Sequence, residues 1–421
     1  ISSRSLVDIG ENLELKQRTD YLYRDQRAVE ARSSGAVFDR ANRTETFSFL
    51  LEPKLRLSNL SDLTVTTSYS LFRDQYLLDQ RKSSTLDSVQ DTWEHLVSGS
   101  VQWDTQEWDS HRLSVGLDAS YESLRSERLV SGVGTRNRAA VFLQDEWSVP
   151  FVASLSVVPG IRLDYDSQFG TQPTPKLGLR YSPWKPVVFR TSYGWGYRAP
   201  SFKELLMDFE NQSRGYVVAG NLDLNPEVSK SFNFGAEFTL LRFWKAGANF
   251  FYNDLENMIA TDLVTQGSAG GANKYSYVNV GKALTKGVES FMQLPLWTFG
   301  YLKFGYAYTV ARDLILDRRL EGRPKHRFNF GLKTRVRKTG TELFVNATRV
   351  GERRFFIDEN LDGVLDKVDA DAFVHLDLNM KQMIFGQYGI YLKAENLLNA
   401  GDPDFLPIQP RTIVCGLSGN L

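Results

Sequence analysis

Cysteine is almost missing from this sequence: Cys415 is the sole example, which rules out an internal disulfide framework and a cysteine-rich zinc site. At alternate spacing with Ile413 and Leu417, it reads most simply as a small apolar side chain. A long hydrophobic run is missing too. Nothing approaches the ~18 consecutive apolar residues of a membrane-spanning helix, and greasy runs such as 184–189 are short. Neither sign of charge dominates, with 50 Lys and Arg against 50 Asp and Glu, so no basic excess draws nucleic acid to the chain. Histidine is scarce. His95, His111, His326 and His375 lie far apart and outside any metal-binding or nucleophile motif, no catalytic set stands out, and no enzyme is expected. The chain opens at Ile1 without an initiator methionine, a charged n-region or an apolar h-region, as expected of a mature product or of a piece of something longer. No linker composition divides it, so residues 1–421 are taken as one unit.

What the sequence has is a period of two, the spacing of a strand with unlike faces. Leu63, Val65, Thr67, Tyr69 and Leu71 alternate with Thr64, Thr66, Ser68 and Ser70, and Leu155, Val157, Ile161, Leu163 and Tyr165 oppose Arg162, Asp164 and Asp166. Such segments number about eighteen, the first over 11–26 and the last over 409–421, and they outrun the ~5–6 residues of a typical sandwich strand. The connections are expected to alternate strictly. Those at 58–61, 184–185, 241–243, 338–339 and 384–388 are tight, whereas those near 79–89, 199–225, 259–274, 313–323 and 355–370 are long. Short turns on one side and long loops on the other are the asymmetry of an outer-membrane barrel, with the long loops outside the cell. Trp103, Trp108, Trp147, Trp184, Trp244 and Trp297 all fall beside short turns, the pattern of a periplasmic aromatic girdle, because indole prefers the boundary between hydrocarbon and headgroups. The predicted fold is therefore all-β: a transmembrane antiparallel up-and-down β-barrel with long extracellular loops. Leu376, Leu378, Ile390, Leu392 and Ala394 are predicted to face lipid, and Asp377, Asn379, Lys393 and Glu395 to line the lumen.

Two motifs flank the connection after the ninth of these strands. The first is Gly196-Tyr197-Arg198-Ala199-Pro200-Ser201-Phe202-Lys203-Glu204-Leu205-Leu206 and the second Gly220-Asn221-Leu222-Asp223-Leu224-Asn225-Pro226-Glu227. Pro200 suits the first turn of a helix, Ser201 and Glu204 have the spacing of a capping box, and Pro226 is tolerated at the start of a strand. Further along come Asn279 with Lys286-Gly287-Val288-Glu289, Arg323-Pro324-Lys325-His326, Glu395-Asn396-Leu397-Leu398-Asn399 and Pro410-Arg411-Thr412. Together, and in this order, these motifs resemble the barrel of TonB-dependent outer-membrane receptors over roughly residues 10–421. The resemblance implies a 22-stranded barrel, about four of whose opening strands are not in this chain, nor are the family's plug domain and energy-coupling box. A fragment, one half of a split receptor and a smaller self-closing barrel all remain open. Leu421 also departs from the terminal aromatic such barrels present. The haem-transporting members' histidine between the two motifs is absent from 201–225.

Two loops carry charge worth singling out. The run Asp358-Glu359-Asn360-Leu361-Asp362-Gly363-Val364-Leu365-Asp366-Lys367-Val368-Asp369 fits an EF-hand template. Asp358, Asn360, Asp362, Asp366 and Asp369 supply oxygens, Val364 a carbonyl, and Gly363 the sharp turn. Calcium is one expectation and a solvated acidic tip the other. The basic cluster Arg312, Arg318, Arg319, Arg323, Lys325 and Arg327 suits an anionic ligand, a plug carboxylate or lipopolysaccharide phosphates, or else is ordinary rim charge balanced by Asp313, Asp317 and Glu321.

The function expected is a bacterial outer-membrane receptor for a scarce nutrient such as a siderophore or cobalamin. Its surroundings would be outer-membrane lipid and lipopolysaccharide, and the TonB complex would act through a plug supplied by residues or by a separate chain absent here. The rivals are a passive porin-like channel and a secretion, adhesion or enzymatic barrel. In the motif pair, Arg198 and Glu204 are suited to tying a ligand loop to the wall, with Pro200, Ser201, Asn225, Pro226 and Glu227 shaping it.

Overall fold

A wall between hydrocarbon and a watery interior needs one apolar and one polar side, and strand alternation provides both. The computed structural model describes the chain apart from residues 32–34, 212–215, 241–242, 266–272, 297–298, 337, 358–365, 385–387, 402–407 and 420–421. The chain opens with β1 (Ser2–Ile9), β2 (Leu13–Ala31), β3 (Val37–Ser58), β4 (Ser61–Gln80) and β5 (Ser88–Thr105). It continues through β6 (His111–Ser126), β7 (Val133–Ser148), β8 (Leu155–Asp166), β9 (Gly170–Trp184) and β10 (Val187–Arg198). A short helix, α1 (Phe202–Leu206), and two small strands, β11 (Asp208–Asn211) and β12 (Tyr216–Ala219), fill the next connection. Then come β13 (Glu227–Leu240), β14 (Trp244–Thr265), β15 (Asn273–Pro295), β16 (Gly300–Asp313), the two-residue β17 (Arg318–Arg319), β18 (His326–Val336) and β19 (Thr341–Val350). Last are β20 (Arg353–Ile357), β21 (Asp366–Ala370), β22 (Phe373–Ile384), β23 (Tyr388–Glu395) and β24 (Thr412–Gly419).

All but β20 and β21 belong to one 22-stranded sheet. Within it, nineteen strands make a continuous antiparallel meander, each paired with the next, while β11, β12 and β17 are loop additions. The eighteen expected segments are all present. The nineteenth, β1, was not foreseen because Ser2–Asp8 mixes charged and polar residues without clean alternation; it is held by its ladder to β2, from Ser2 opposite Asp20 to Ile9 opposite Leu13. Strict alternation of short and long connections also fails. The outer turn 167–169 is shorter than the inner 149–154, and much of the expected loop 259–274 continues β14 and β15 beyond the wall.

Register shows the two faces directly, because directly opposed residues share a face. Val65, Val101, Leu117, Val141 and Leu163 stand in one row across β4 to β8. One residue along, Thr66, Ser100, Asp118, Ala140 and Asp164 form the row on the other side. The lipid row is apolar throughout and the luminal row is polar but for one alanine. At the other end of the sheet, Leu378 opposes Ala394 and Met380 opposes Leu392, while Asn379 opposes Lys393. The two sets expected there fall on opposite faces. Aromatic rings on the luminal face also cover glycines of neighbouring strands: no Cβ fits at Gly116 beneath Phe142, or at Gly247 beneath Phe291. Packing a ring over a bare backbone fills a gap in a curved sheet.

Five of the six girdle tryptophans sit at the short-turn end; Trp297 lies outside the described residues. Trp103 donates to Ser61 Oγ at 2.7 Å and meets Trp108 edge to face, while Trp147 stacks on His111. Trp184 and Trp244 remain largely exposed, as side chains bathed by the membrane boundary would be.

Candidate functional site

The long connection 199–226 begins where β10 ends. Ser201 has extended backbone angles and caps α1. Its hydroxyl accepts from the Glu204 amide at 3.3 Å, and its own amide donates to Glu204 Oε2 at 2.7 Å, which completes the capping box expected from the sequence. The helix then leans toward the turn between β6 and β7. Val130 donates to the Leu206 carbonyl at 2.9 Å and Asp208 to the Arg128 carbonyl at 2.7 Å. From there β11 and β12 form a hairpin whose second strand runs parallel to the upper part of β15, Tyr216 opposite Asn273 and Ala219 opposite Ser276. Because β14 occupies the other edge of β15 there, the connection reaches past both β13 and β14. It is a strap at the extracellular end, tied to the wall at β6–β7 and again at β15.

Three sets of residues hold the strap. Arg198, at the outer end of β10, donates to Glu227 at 2.5 Å and to both oxygens of Glu204 at 3.0–3.2 Å. Burial raises the Glu204 carboxyl, but the Arg198 guanidinium and the Ser201 donors outweigh it and leave the group below its ordinary value. Arg136 on β7 is buried to about 1% exposure; it donates to the Pro200 carbonyl at 2.8 Å and to Gln168 at 2.7 Å, and lies against the Phe202 ring. The third set is a lattice of asparagines. Asn279 exchanges bonds with the Asn225 backbone at 2.8 and 2.9 Å and donates to the Asn257 carbonyl at 2.7 Å, while Asn221 donates to the Tyr277 carbonyl at 2.8 Å. Pro226 precedes β13 and its carbonyl accepts from Asn257 at 3.4 Å.

Five of the six basic-cluster residues meet in a recess of about 450 Å³ at the outer end of β16: Arg312, Arg318, Arg319, Arg323 and Lys325. Arg327 does not join them; it lies on β18, opposite Ala307 and Val350. Arg354 and Lys367, from β20 and β21, complete the lining, with Phe356 beneath the Arg318 guanidinium at 4.6 Å. Asp317 in the lining pairs with Arg312 at 2.7 Å, and Asp369 beside it pairs with Arg354 at 2.7 Å and Lys367 at 3.5 Å, which leaves Arg318, Arg319, Arg323 and Lys325 without an acidic partner among the described residues.

In the acidic run, Asp358, Asn360, Asp362 and Val364 lie outside the described residues. Asp366 and Asp369 belong to strand β21. Asp369 accepts from Arg354 at 2.7 and 3.1 Å, which holds its carboxyl below the usual range. Its oxygens are thus committed to a guanidinium in this arrangement. Among the described residues, no group of three or more His, Cys, Asp or Glu side chains is placed to hold a metal.

The sequence profile of the family described as TonB dependent receptor-like, beta-barrel matches residues 6–397. The chain belongs to this family. As a TonB-dependent receptor barrel it lies in the bacterial outer membrane, and its family consists of transport receptors, not enzymes. It is 30% identical over 238 residues to the iron-regulated outer membrane virulence protein of Vibrio cholerae serotype O1, covering 53% of this chain and 36% of that protein. To the ferrienterobactin receptor of Escherichia coli it is 29% identical over 216 residues, 46% of this chain and 29% of the receptor. The chain thus matches about a third of the length of these relatives. The crystal structure of the siderophore receptor PirA from Acinetobacter baumannii superposes with a TM-score of 0.72 at 15% identity, over 96% of this chain and 70% of that one, a likeness of fold.

Sequence reasoning about this receptor barrel missed Arg136, Asn257, Arg354 and Lys367. The last two come into the basic recess only because the β20–β21 hairpin folds against β16 and β17. Asn257 had a faint signal, an asparagine in a long strand, and it adopts a left-handed φ of 57° that asparagine tolerates better than most side chains. Arg136 alternates with other luminal charges and is set apart from them only by its burial.

Proposed function

We propose that this barrel belongs to a receptor that takes up an anionic iron chelate of the siderophore class, energised by the TonB complex through a plug domain. The observation that carries the reading is the basic recess at the outer end of β16, where seven Lys and Arg side chains surround one Asp and a half-buried aromatic ring. A guanidinium cluster attracts anions at long range and holds them through charge-assisted hydrogen bonds at contact. The iron-regulated and enterobactin-binding names of the two relatives are consistent with such a cargo. Cobalamin is the alternative cargo, and a passive channel the alternative mechanism.

The test is tryptophan-quenching titration of the purified receptor with a ferric catecholate and, separately, with cobalamin. Tight, salt-sensitive binding of the chelate, weakened at least about tenfold in Arg318→Glu/Arg319→Glu, is the expected outcome, because each charge-assisted bond contributes about 1.5–3 kcal/mol. Equal affinity in the double variant would remove the recess from the binding site. Salt-insensitive binding of cobalamin alone would reject the cargo.

A further inference from the structure

We propose that a groove on the lipid side of β18, β19 and β22 binds a phosphate-bearing lipid of the outer leaflet, with the phosphate on Arg349 and an acyl chain lying over Ala347. This rests on the membrane placement of the barrel and not on its cargo.

Register assigns the groove to the lipid face. Met292, Phe304, Phe330, Ala347 and Leu376 stand in one row across β15, β16, β18, β19 and β22. The next row toward the cell exterior is Ser290, Tyr306, Phe328, Arg349 and Val374. Three cross-strand ring pairs climb this face: Phe304 with Phe330 at 5.3 Å, Tyr306 with Phe328 at 4.8 Å and Tyr308 with His326 at 5.3 Å. Beside that ladder the wall drops. Ala347 is the small residue between Phe330 and Leu376, and the depression of about 420 Å³ there has an almost wholly apolar lining. A hydrocarbon chain running along the wall fills such a trough without leaving a polar group unpaired.

Arg349 closes the outer end. It is one residue from the end of β19, exposed, and among the described residues no acidic side chain pairs with it. One diagonal step away is His326, whose Nδ1 is 3.0 Å from the Tyr306 hydroxyl. A charge on the lipid face of a barrel is tolerated near the interface and opposed at the midplane, and Arg349 stands where lipid phosphates do. The groove therefore has the polarity of an amphiphile: an unneutralised cation at headgroup height and an apolar channel below it. An anionic headgroup supplies the missing charge, and the planar guanidinium is suited to two phosphate oxygens at once.

The experiment is native mass spectrometry of the intact receptor in mild detergent with three probes: bisphosphorylated lipid A, the same glycolipid without its phosphates, and soluble inorganic pyrophosphate. Bisphosphorylated lipid A should bind the wild type, and removing its phosphates should weaken binding by about fivefold or more, the factor expected of one basic side chain near a charged headgroup. Arg349→Gln should show the same loss and Arg349→Lys should largely retain binding. Ala347→Phe, which fills the trough and leaves the charge, should weaken retention as well. If Arg349→Gln and the wild type retain equal lipid, the proposal is overturned. Displacement of the lipid by equimolar pyrophosphate would overturn it too, by assigning Arg349 to free phosphate. Heat modifiability on gels monitors barrel integrity, and the Lys and Gln variants serve separately, so the outcome does not hang on one variant folding.

Discussion

Charged side chains at the outer end of this barrel differ in cost according to burial. Arg136 sits in a site from which water is excluded, with Asp166 3.6 Å away and itself 2% exposed. Arg136→Met should remove one cation and leave that carboxylate to the half-exposed Arg138 at 3.4 Å, destabilising the barrel by about 1–3 kcal/mol, which a lowered urea midpoint would register. Arg198 is nearly half exposed, so its links to Glu204 and Glu227 are screened. Arg198→Ala should cost only ~1 kcal/mol and act locally, by speeding proteolysis within 199–226 while heat modifiability of the barrel stays unchanged. Glu204 adds a pH dependence with a definite sign. Its carboxyl is held below the ordinary 4.5, so its contribution to docking is complete above that value and is lost as pH falls through the lowered one. Strap proteolysis should therefore rise at acid pH below 4.5 in the wild type, and Glu204→Gln should be cleaved at the acid rate already at neutral pH.

The strap as an element depends on one close approach. A Cβ at Gly220 would lie 2.5 Å from the Leu205 carbonyl group, so the helix and the returning chain touch backbone to backbone. Gly220→Val should cost about 1–3 kcal/mol through overpacking and detach the helix from β12. Limited proteolysis should then cut near 199–226 without loss of the folded barrel; an unchanged pattern would show that the strap is held elsewhere. The β20–β21 hairpin poses the matching question for calcium. Asp369 can join an ion only by leaving Arg354, so a calcium heat, if the acidic run takes the ion, should be absent in Asp362→Ala and grow stronger in Arg354→Ala. Equal heats in all three proteins would mark the run as a solvated tip.

For the whole molecule, the consequential property is which face each row presents. In a background with Cys415→Ser, a hydrophilic thiol reagent should label cysteines placed at Asn379 and Lys393 and spare those at Leu378 and Leu392, since register puts the pairs on opposite sides. A charge at mid-membrane on the lipid side should also cost about 2–4 kcal/mol, so Leu378→Arg should hinder insertion where Asn379→Arg does not. Labelling of all four positions alike would contradict the barrel. Nineteen strands in an antiparallel meander also mean that β1 and β24 run in the same direction; among the described residues each of these edge strands has a single partner.

Alternation determined eighteen of the nineteen meander strands and the division between lipid and lumen, because the side-chain period of a strand is two whatever it packs against, and strand length, uneven connections and turn-side tryptophans determined the fold class. Local chemistry likewise determined the capping box of Ser201 and Glu204, whose partners lie within one helical turn. Tertiary structure decided the rest. Arg136 meets Pro200 across 64 residues, and Asn279 meets Asn225 across 54; no local pattern encodes such contacts, since they depend on where a long connection lands. The basic recess gained Arg354 and Lys367 and lost Arg327 for the same reason. Charge is visible in a sequence, but which charges face one another is fixed by how the loops fold over the wall.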